Sequence, residues 1–219
     1  MRRAGQHILI IPEGWCEYNY AQAFKHSLPR DKQRSISVEM PKPNNENSAF
    51  QLLDKAEVMI KKAKRDKNPY DAVWIFFDND NQPNLPAFFQ KLSNTPVNIA
   101  YSSMCIEHWF IIHFENNRQA YQNAHQALQR IETLWQQHFN QTYHKTKVNH
   151  FEKLKGNLTT AMERANSITQ QAEANVTPVV NRNPFFTIQK FIQFFLLFLA
   201  CKYIIYIYFC NVIYFIYLS

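Results

Sequence analysis

Ala72-Val73-Trp74-Ile75-Phe76-Phe77 is an unbroken apolar run that stops at Asp78-Asn79-Asp80. It has the length of a strand, and a strand without polar alternation has to be covered on both faces. That places it inside a parallel sheet with helices on each side. Ile8-Leu9-Ile10-Ile11 repeats the pattern near the start of the chain and stops at Pro12-Glu13-Gly14. Two such strands need crossover helices and outer strands around them.

The remaining periodicities supply those elements. Tyr18, Ala21, Phe24 and Leu28 have helical spacing, which predicts a helix from about Glu17 to Ser27. Ile36 to Met40 alternates like a strand, and Pro41 and Pro43 stop it. Ser48 reads as the N-cap of a helix to about Lys67, with Leu52, Leu53, Ala56, Met59 and Ile60 on its apolar face. Lys55, Lys61, Lys62, Lys64 and Arg65 lie outward; a solvated helix end, favoured by the helix dipole, is the plain reading, and a nucleic-acid patch is the alternative. A short helix over Leu85–Leu92, a strand over Val97–Tyr101 and a buried helix over Ile106–Phe114 follow. From Asn117 to Ala174 the spacing predicts two amphipathic helices, separated near Tyr143–Asn149. The expected architecture is α/β: a central, mostly parallel sheet flanked by helices in residues 1–116, and a helical part packing on it in 117–190.

Residues 191–219 form a separate hydrophobic, aromatic tail, almost wholly Phe, Ile, Leu and Tyr. It is long enough for about one membrane crossing. Lys202 near its middle costs roughly 3 kcal/mol on insertion scales. A membrane anchor, an irregular extension without a selected role, and a buried or oligomerising segment remain as readings of it.

Composition closes off several functions. With 3 glycines in 219 residues, neither a dinucleotide fingerprint nor a phosphate-binding Walker loop can be built. The cysteines, Cys16, Cys105, Cys201 and Cys210, form no C-x-x-C pair and no zinc-ligand spacing. Ile8–Ile11 is too short for a signal peptide, so a reducing cytoplasm is the expected location, with membrane association if the tail inserts. A net charge of +7 is compatible with a polyanionic partner, DNA or RNA.

The acidic residues carry the chemistry. Glu13 follows the first strand directly, and Asp78 and Asp80 follow the strongest one. In open α/β sheets the ligand crevice lies beyond the carboxyl ends of the strands, so neighbouring strands bring the three together. Two carboxylates about 4 Å apart repel by on the order of 4 kcal/mol at an effective dielectric of 20. The cluster therefore needs a proton, a basic side chain or a cation. No Lys or Arg stands beside the three in sequence, and Mg²⁺, with Mn²⁺ as a substitute, is the natural solution. Against this stands turn chemistry, since Asp-Asn-Asp after a strand also caps its own backbone. Glu107 is either an N-terminal dipole partner or a site residue, and Glu17 has the same ambiguity. His113 reads as a satisfied core histidine. Ser102 and Ser103 can cap, bind phosphate or turn the chain.

Several stretches resemble the RloB family, found beside restriction and other phage-defence genes. They are Ile8–Gly14 with Glu17, Asn19 and Tyr20; Tyr70–Asp80; Ile99–Ser103 through Glu107, Trp109 and His113-Phe114-Glu115; and Asn183-Pro184 with Thr187. The resemblance covers roughly residues 7 to 195 and implies a toprim-like fold. In that fold a glutamate after the first strand and a DxD after a later one hold Mg²⁺, which matches Glu13, Asp78 and Asp80. Glu107 would be the family's further acidic residue. Ser103-Met104-Cys105-Ile106 departs from the usual Asn-Pro-x-Phe, and Trp15-Cys16 from the usual Lys-Thr. The implied function is a Mg²⁺-dependent phosphoryl-transfer enzyme, a nuclease, in an anti-phage, restriction-associated system with a protein partner from that locus. Glu13, Asp78, Asp80 and Glu107 would be its catalytic residues. The alternative is a non-catalytic module that binds nucleic acid or a nucleotide.

Overall fold

A computed structural model of the chain describes residues 5–44, 48–79, 82 and 84–197. Four strands form one all-parallel sheet: β1 (Gln6–Pro12), β2 (Ile36–Glu39), β3 (Ala72–Asp78) and β4 (Val97–Ser102), in the order β2-β1-β3-β4. The two strands with continuous apolar sequence take the central places, with Ile8 opposite Ala72 and Ile11 opposite Ile75. Six of seven residues of β1 and all of β3 are buried. β2, which alternates in sequence, is an edge strand and alternates in burial. Ile36 and Val38 meet the core on one face, and Ser37 and Glu39 are exposed on the other.

Successive residues of a strand point to opposite faces. Leu9, Ile11, Val73, Ile75 and Phe77 pack with helices α3 (Ala49–Arg65) and α4 (Leu85–Leu92) on one face. Ile8, Ile10, Trp74 and Phe76 pack on the other with α1 (Trp15–Ser27) and α5 (Ile106–Phe114). A short helix not foreseen from the sequence, α2 (Arg30–Ser35), leads from α1 into β2. The Ser48 cap forms as a capping box: the Gln51 amide donates to Ser48 Oγ at 3.3 Å and the Ser48 amide to Gln51 Oε1 at 3.0 Å.

Helix α5 is buried along its whole length from Ile106 to His113. It is covered by α6 (Ala124–Phe139), α7 (His150–Leu154) and α8 (Leu158–Ala174), the last two joined by one 3-10 turn. The expected pair of helices is thus three pieces. Ala127, Ile131, Leu134 and Trp135 of α6 and Ala161, Ala165 and Ile168 of α8 share one core with the sheet.

After α8 the chain returns to the sheet beside β4. The Thr187 amide donates to the Tyr101 carbonyl at 2.8 Å, and Phe186 bridges Ser102 in antiparallel sense. A helical segment follows over residues 188–197. Phe191, Ile192 and Phe195 are completely buried there, and the Phe191 ring lies 5.4 Å from Trp74, 5.8 Å from Phe76 and 5.7 Å from Phe24. This corrects the boundary expected at Phe191. The first turns of the aromatic tail cover the Trp74–Phe76 face of the central strand, and an aromatic-rich sequence there is a core sequence. Leu197 is 67% exposed, and the rest of the tail, with Cys201, Lys202 and Cys210, lies outside the described residues. Among the described residues no helix is long and apolar enough to cross a membrane.

Candidate functional site

The parallel ladder places Glu13 beside the end of β3. Its amide donates to the Phe76 carbonyl at 2.8 Å, one step beyond the last residue of β1. Its carboxylate then accepts the Asp78 amide on Oε2 and the Gln82 side-chain amide on Oε1, each at 3.0 Å. Glu13 and Asp78, 65 residues apart in sequence, are neighbours at the carboxyl edge of the sheet. Asp78 is buried and accepts the Ile106 amide on Oδ2 at 3.2 Å. That amide is one of the orphan donors of the first turn of α5, so Asp78 ties β3 to the helix that follows β4. Asp80 lies outside the described residues.

Two more carboxylates close on the same place. Helix α1 starts right after Gly14 and directs Cys16 and Glu17 inward, both buried. A Cβ on Gly14 would stand 2.8 Å from Glu17 Oε2, so a residue without a side chain is what lets that carboxyl fold against the strand end. Helix α5 brings in Glu107, buried, which accepts the Tyr143 hydroxyl at 3.1 Å. Lys145 Nζ reaches the same Glu107 oxygen at 3.6 Å. Tyr143 and Lys145 come from the loop between α6 and α7, which Asn19 of α1 holds at the Thr146 carbonyl. Sequence reading assigned no role to Lys145, Tyr143 or Gln82. Tyr143 and Lys145 are distant from the site in the chain, and Gln82, four residues after Asp78, is far from its partner Glu13, so their purpose appears only in the folded protein.

The electrostatics follow from this crowding. Burial pushes the Glu17 carboxyl up from about 4.5 to about 8, with the Asp78 charge adding to it. The backbone amide of Glu17 and the Lys145 ammonium work in the opposite direction without prevailing. Glu17 therefore carries a proton at neutral pH. Burial tends to discharge Lys145, but the charges of Glu107, Asp78 and Glu17 outweigh it and hold the ammonium. Both thiols of the region, Cys16 and Cys105, are pushed up by burial first and by the carboxylates second. They stay protonated and are not nucleophiles. A divalent ion was the sequence-based answer to carboxylate repulsion. The structure supplies two others, a proton on Glu17 and an ammonium on Glu107.

The donors at the sheet edge are hard oxygens, the kind Mg²⁺ prefers. Glu13 and Asp78 match that chemistry, although both Glu13 oxygens and one Asp78 oxygen accept hydrogen bonds from the protein. Among the described residues no group of three or more His, Cys, Asp or Glu side chains is arranged to hold a metal ion. Asp80 would have to complete the set.

The remaining candidates serve the fold. Ser102 Oγ donates to the Cys105 carbonyl at 2.8 Å and turns the chain into α5. Ser103 Oγ accepts the Phe185 amide at 2.8 Å and pins the returning segment. His113 is a core histidine: Nδ1 lies 2.9 Å from the Trp109 carbonyl, and burial lowers its basicity to about 4, so the ring is neutral and Nδ1–H donates. Gln82 also accepts the Ala49 amide at 3.1 Å, which links Glu13 to the start of α3.

No curated protein matches the chain. A protein-family model described as RloB-like protein matches residues 8–195, from the third residue of β1 through the last buried phenylalanine of the C-terminal helical segment. That span takes in every strand, the acidic edge and the covering helices, and on it the chain belongs to the RloB-like protein family.

Proposed function

We propose that the chain is a toprim-like, Mg²⁺-dependent phosphoryl-transfer enzyme, a nuclease, serving an anti-phage or restriction-associated system. One observation carries the reading: Glu13 meets Asp78 at the carboxyl edge of a parallel sheet, and Glu17 and Glu107 join them from the two adjacent helices. Glu13, Asp78 and Asp80 would hold the cation. When bound it would supply charge to a phosphodiester oxygen and acidify a water molecule. The protein's own groups have distinct tasks. Glu17 holds a proton at neutral pH and is suited to donate it to a leaving oxygen. Glu107, braced by Tyr143 and Lys145, is suited to an auxiliary acid or a supporting place. Purified full-length protein should cleave DNA or RNA in the presence of Mg²⁺ or Mn²⁺, and Asp78→Ala should lose that cleavage. Identical behaviour of wild type and Asp78→Ala across single- and double-stranded DNA and RNA rejects the catalytic reading.

A second reading has its own support. Hydrogen bonds occupy both Glu13 oxygens, and a proton and an ammonium already relieve the cluster. A module that binds nucleic acid or a nucleotide without turnover needs nothing more. Its signature is saturable ligand binding with no product, whichever divalent ion is added.

A further inference from the structure

An open cavity of about 260 Å³ lies where the end of α8 meets the chain returning to β4, lined in part by Arg118, Gln171, Asn175, Asn181, Arg182 and Asn183. The Asn183-Pro184 pair singled out in the sequence forms one of its walls. Nothing in the acidic site uses these residues.

Arg182 is a fixed cation. Its side chain is 12% exposed, Nε donates to the Thr177 carbonyl at 2.9 Å, and the guanidinium lies 5.2 Å from the Phe185 ring centre. Its contact with Glu173 is long, 3.7 Å. Arg118 faces it from the segment between α5 and α6. It donates to the side-chain oxygens of Gln171 and Ser167 and keeps most of its guanidinium donors unspent. The side chains of Asn175 and Asn181 make no hydrogen bond among the described residues. The Asn183 amide is committed to the Tyr121 carbonyl, which holds that wall in place.

Charge decides what such a cavity takes. The C-terminal end of α8 contributes roughly half a negative charge. Glu173 contributes one more from the exposed side of the helix. Two guanidinium groups exceed both, and the cavity stays positive. Guanidinium forks match carboxylate and phosphate alike. A phosphate has more acceptor oxygens to share among two guanidiniums and two carboxamides, and the cavity has room for more than a bare anion. We propose that this cavity binds the phosphate of a nucleotide unit, either a free nucleotide or one link of a polynucleotide strand. The proposal does not rest on the acidic site being catalytic.

The test is fluorescence anisotropy of a labelled single-stranded oligonucleotide with the full chain in EDTA, so that binding is read without cleavage. Arg118 is exposed, and Arg118→Glu should fold; it should weaken binding by about tenfold or more. Arg182→Lys keeps the charge, loses the fork and should weaken it less. Arg34→Glu, an equal charge reversal on the exposed side of α2, should stay within about twofold of wild type. Competition by a mononucleotide that Arg118→Glu abolishes identifies a free nucleotide as the source. Competition by oligonucleotide alone identifies the strand. Equal losses in Arg118→Glu and Arg34→Glu, no loss in Arg118→Glu, or no binding of either probe by wild type would each overturn the proposal. Cleavage that disappears with Asp78→Ala would survive any of those results.

Discussion

Glu17→Gln gives the sharpest measure of the acidic cluster. In the unfolded chain Glu17 has the ordinary carboxyl value near 4.5, and in the folded protein it rises to about 8, through burial first and Asp78 second. The folded state thus holds the proton more tightly. The associated stability is complete below pH 4.5 and is lost as pH rises toward 8. Each unit in that window removes about 1.4 kcal/mol, so roughly 3 kcal/mol is gone at pH 7. Glutamine has the shape of a protonated glutamate and does not titrate. Glu17→Gln should match wild type near pH 4.5 and be more stable by roughly 3 kcal/mol at pH 7. Other carboxylates titrate in both proteins, and the difference between the two isolates Glu17. Urea unfolding in half-unit steps from pH 4.5 to 8 reads it directly. Parallel pH profiles for the two proteins would refute the reasoning, because they would mean that the native state binds no extra proton at Glu17. The functional reading has a stake in the outcome: a carboxyl that keeps its proton at neutral pH is a general acid, and one that does not is only another repelling charge.

Lys145→Met removes a charge that lowers Glu17. Relative to wild type it should reduce stability already near pH 5, because Glu107 loses its ammonium, and reduce it further as pH rises past 8 and Glu17 ionises, in the same urea series; an unchanged difference across pH would separate Lys145 from Glu17. Phe191→Ala should cost about 3–5 kcal/mol because the ring is fully buried among Phe24, Trp74 and Phe76. Leu197→Ala, six residues later and 67% exposed, should stay within about 0.5 kcal/mol of wild type. Equal effects of the two in urea unfolding would place the helical segment outside the core.

Much of the architecture was legible from local pattern. Ala72–Phe77 and Ile8–Ile11 had to be central strands because nothing in them tolerates water, and Ser48 with Gln51 had to start a helix because each side chain answers the other's backbone amide. The pairing of Glu13 with Asp78 followed from the same source, since both stand where an apolar strand ends. The start of the tail stays open in the sequence for an equally physical reason. Composition reports that Phe191 and Phe195 avoid water, and it cannot tell a membrane from the Trp74 face of a sheet.

Charge balance was beyond the sequence. Lys145 and Tyr143 reach Glu107 only because α5, α6 and α7 pack so that the loop between the last two falls over the strand ends. Gln82 reaches Glu13 only because the chain after β3 folds back. Strand and helix periodicity are set by neighbours a few residues apart, through pleat, pitch and the need to cover apolar faces. The protonation of Glu17 and the partners of the carboxylates are set by distances and dielectric among groups far apart in the chain. The amino-acid sequence by itself determined the two central strands and set Glu13 and Asp78 at their ends; only the tertiary structure decided the strand order and how the charge of the carboxylates is carried.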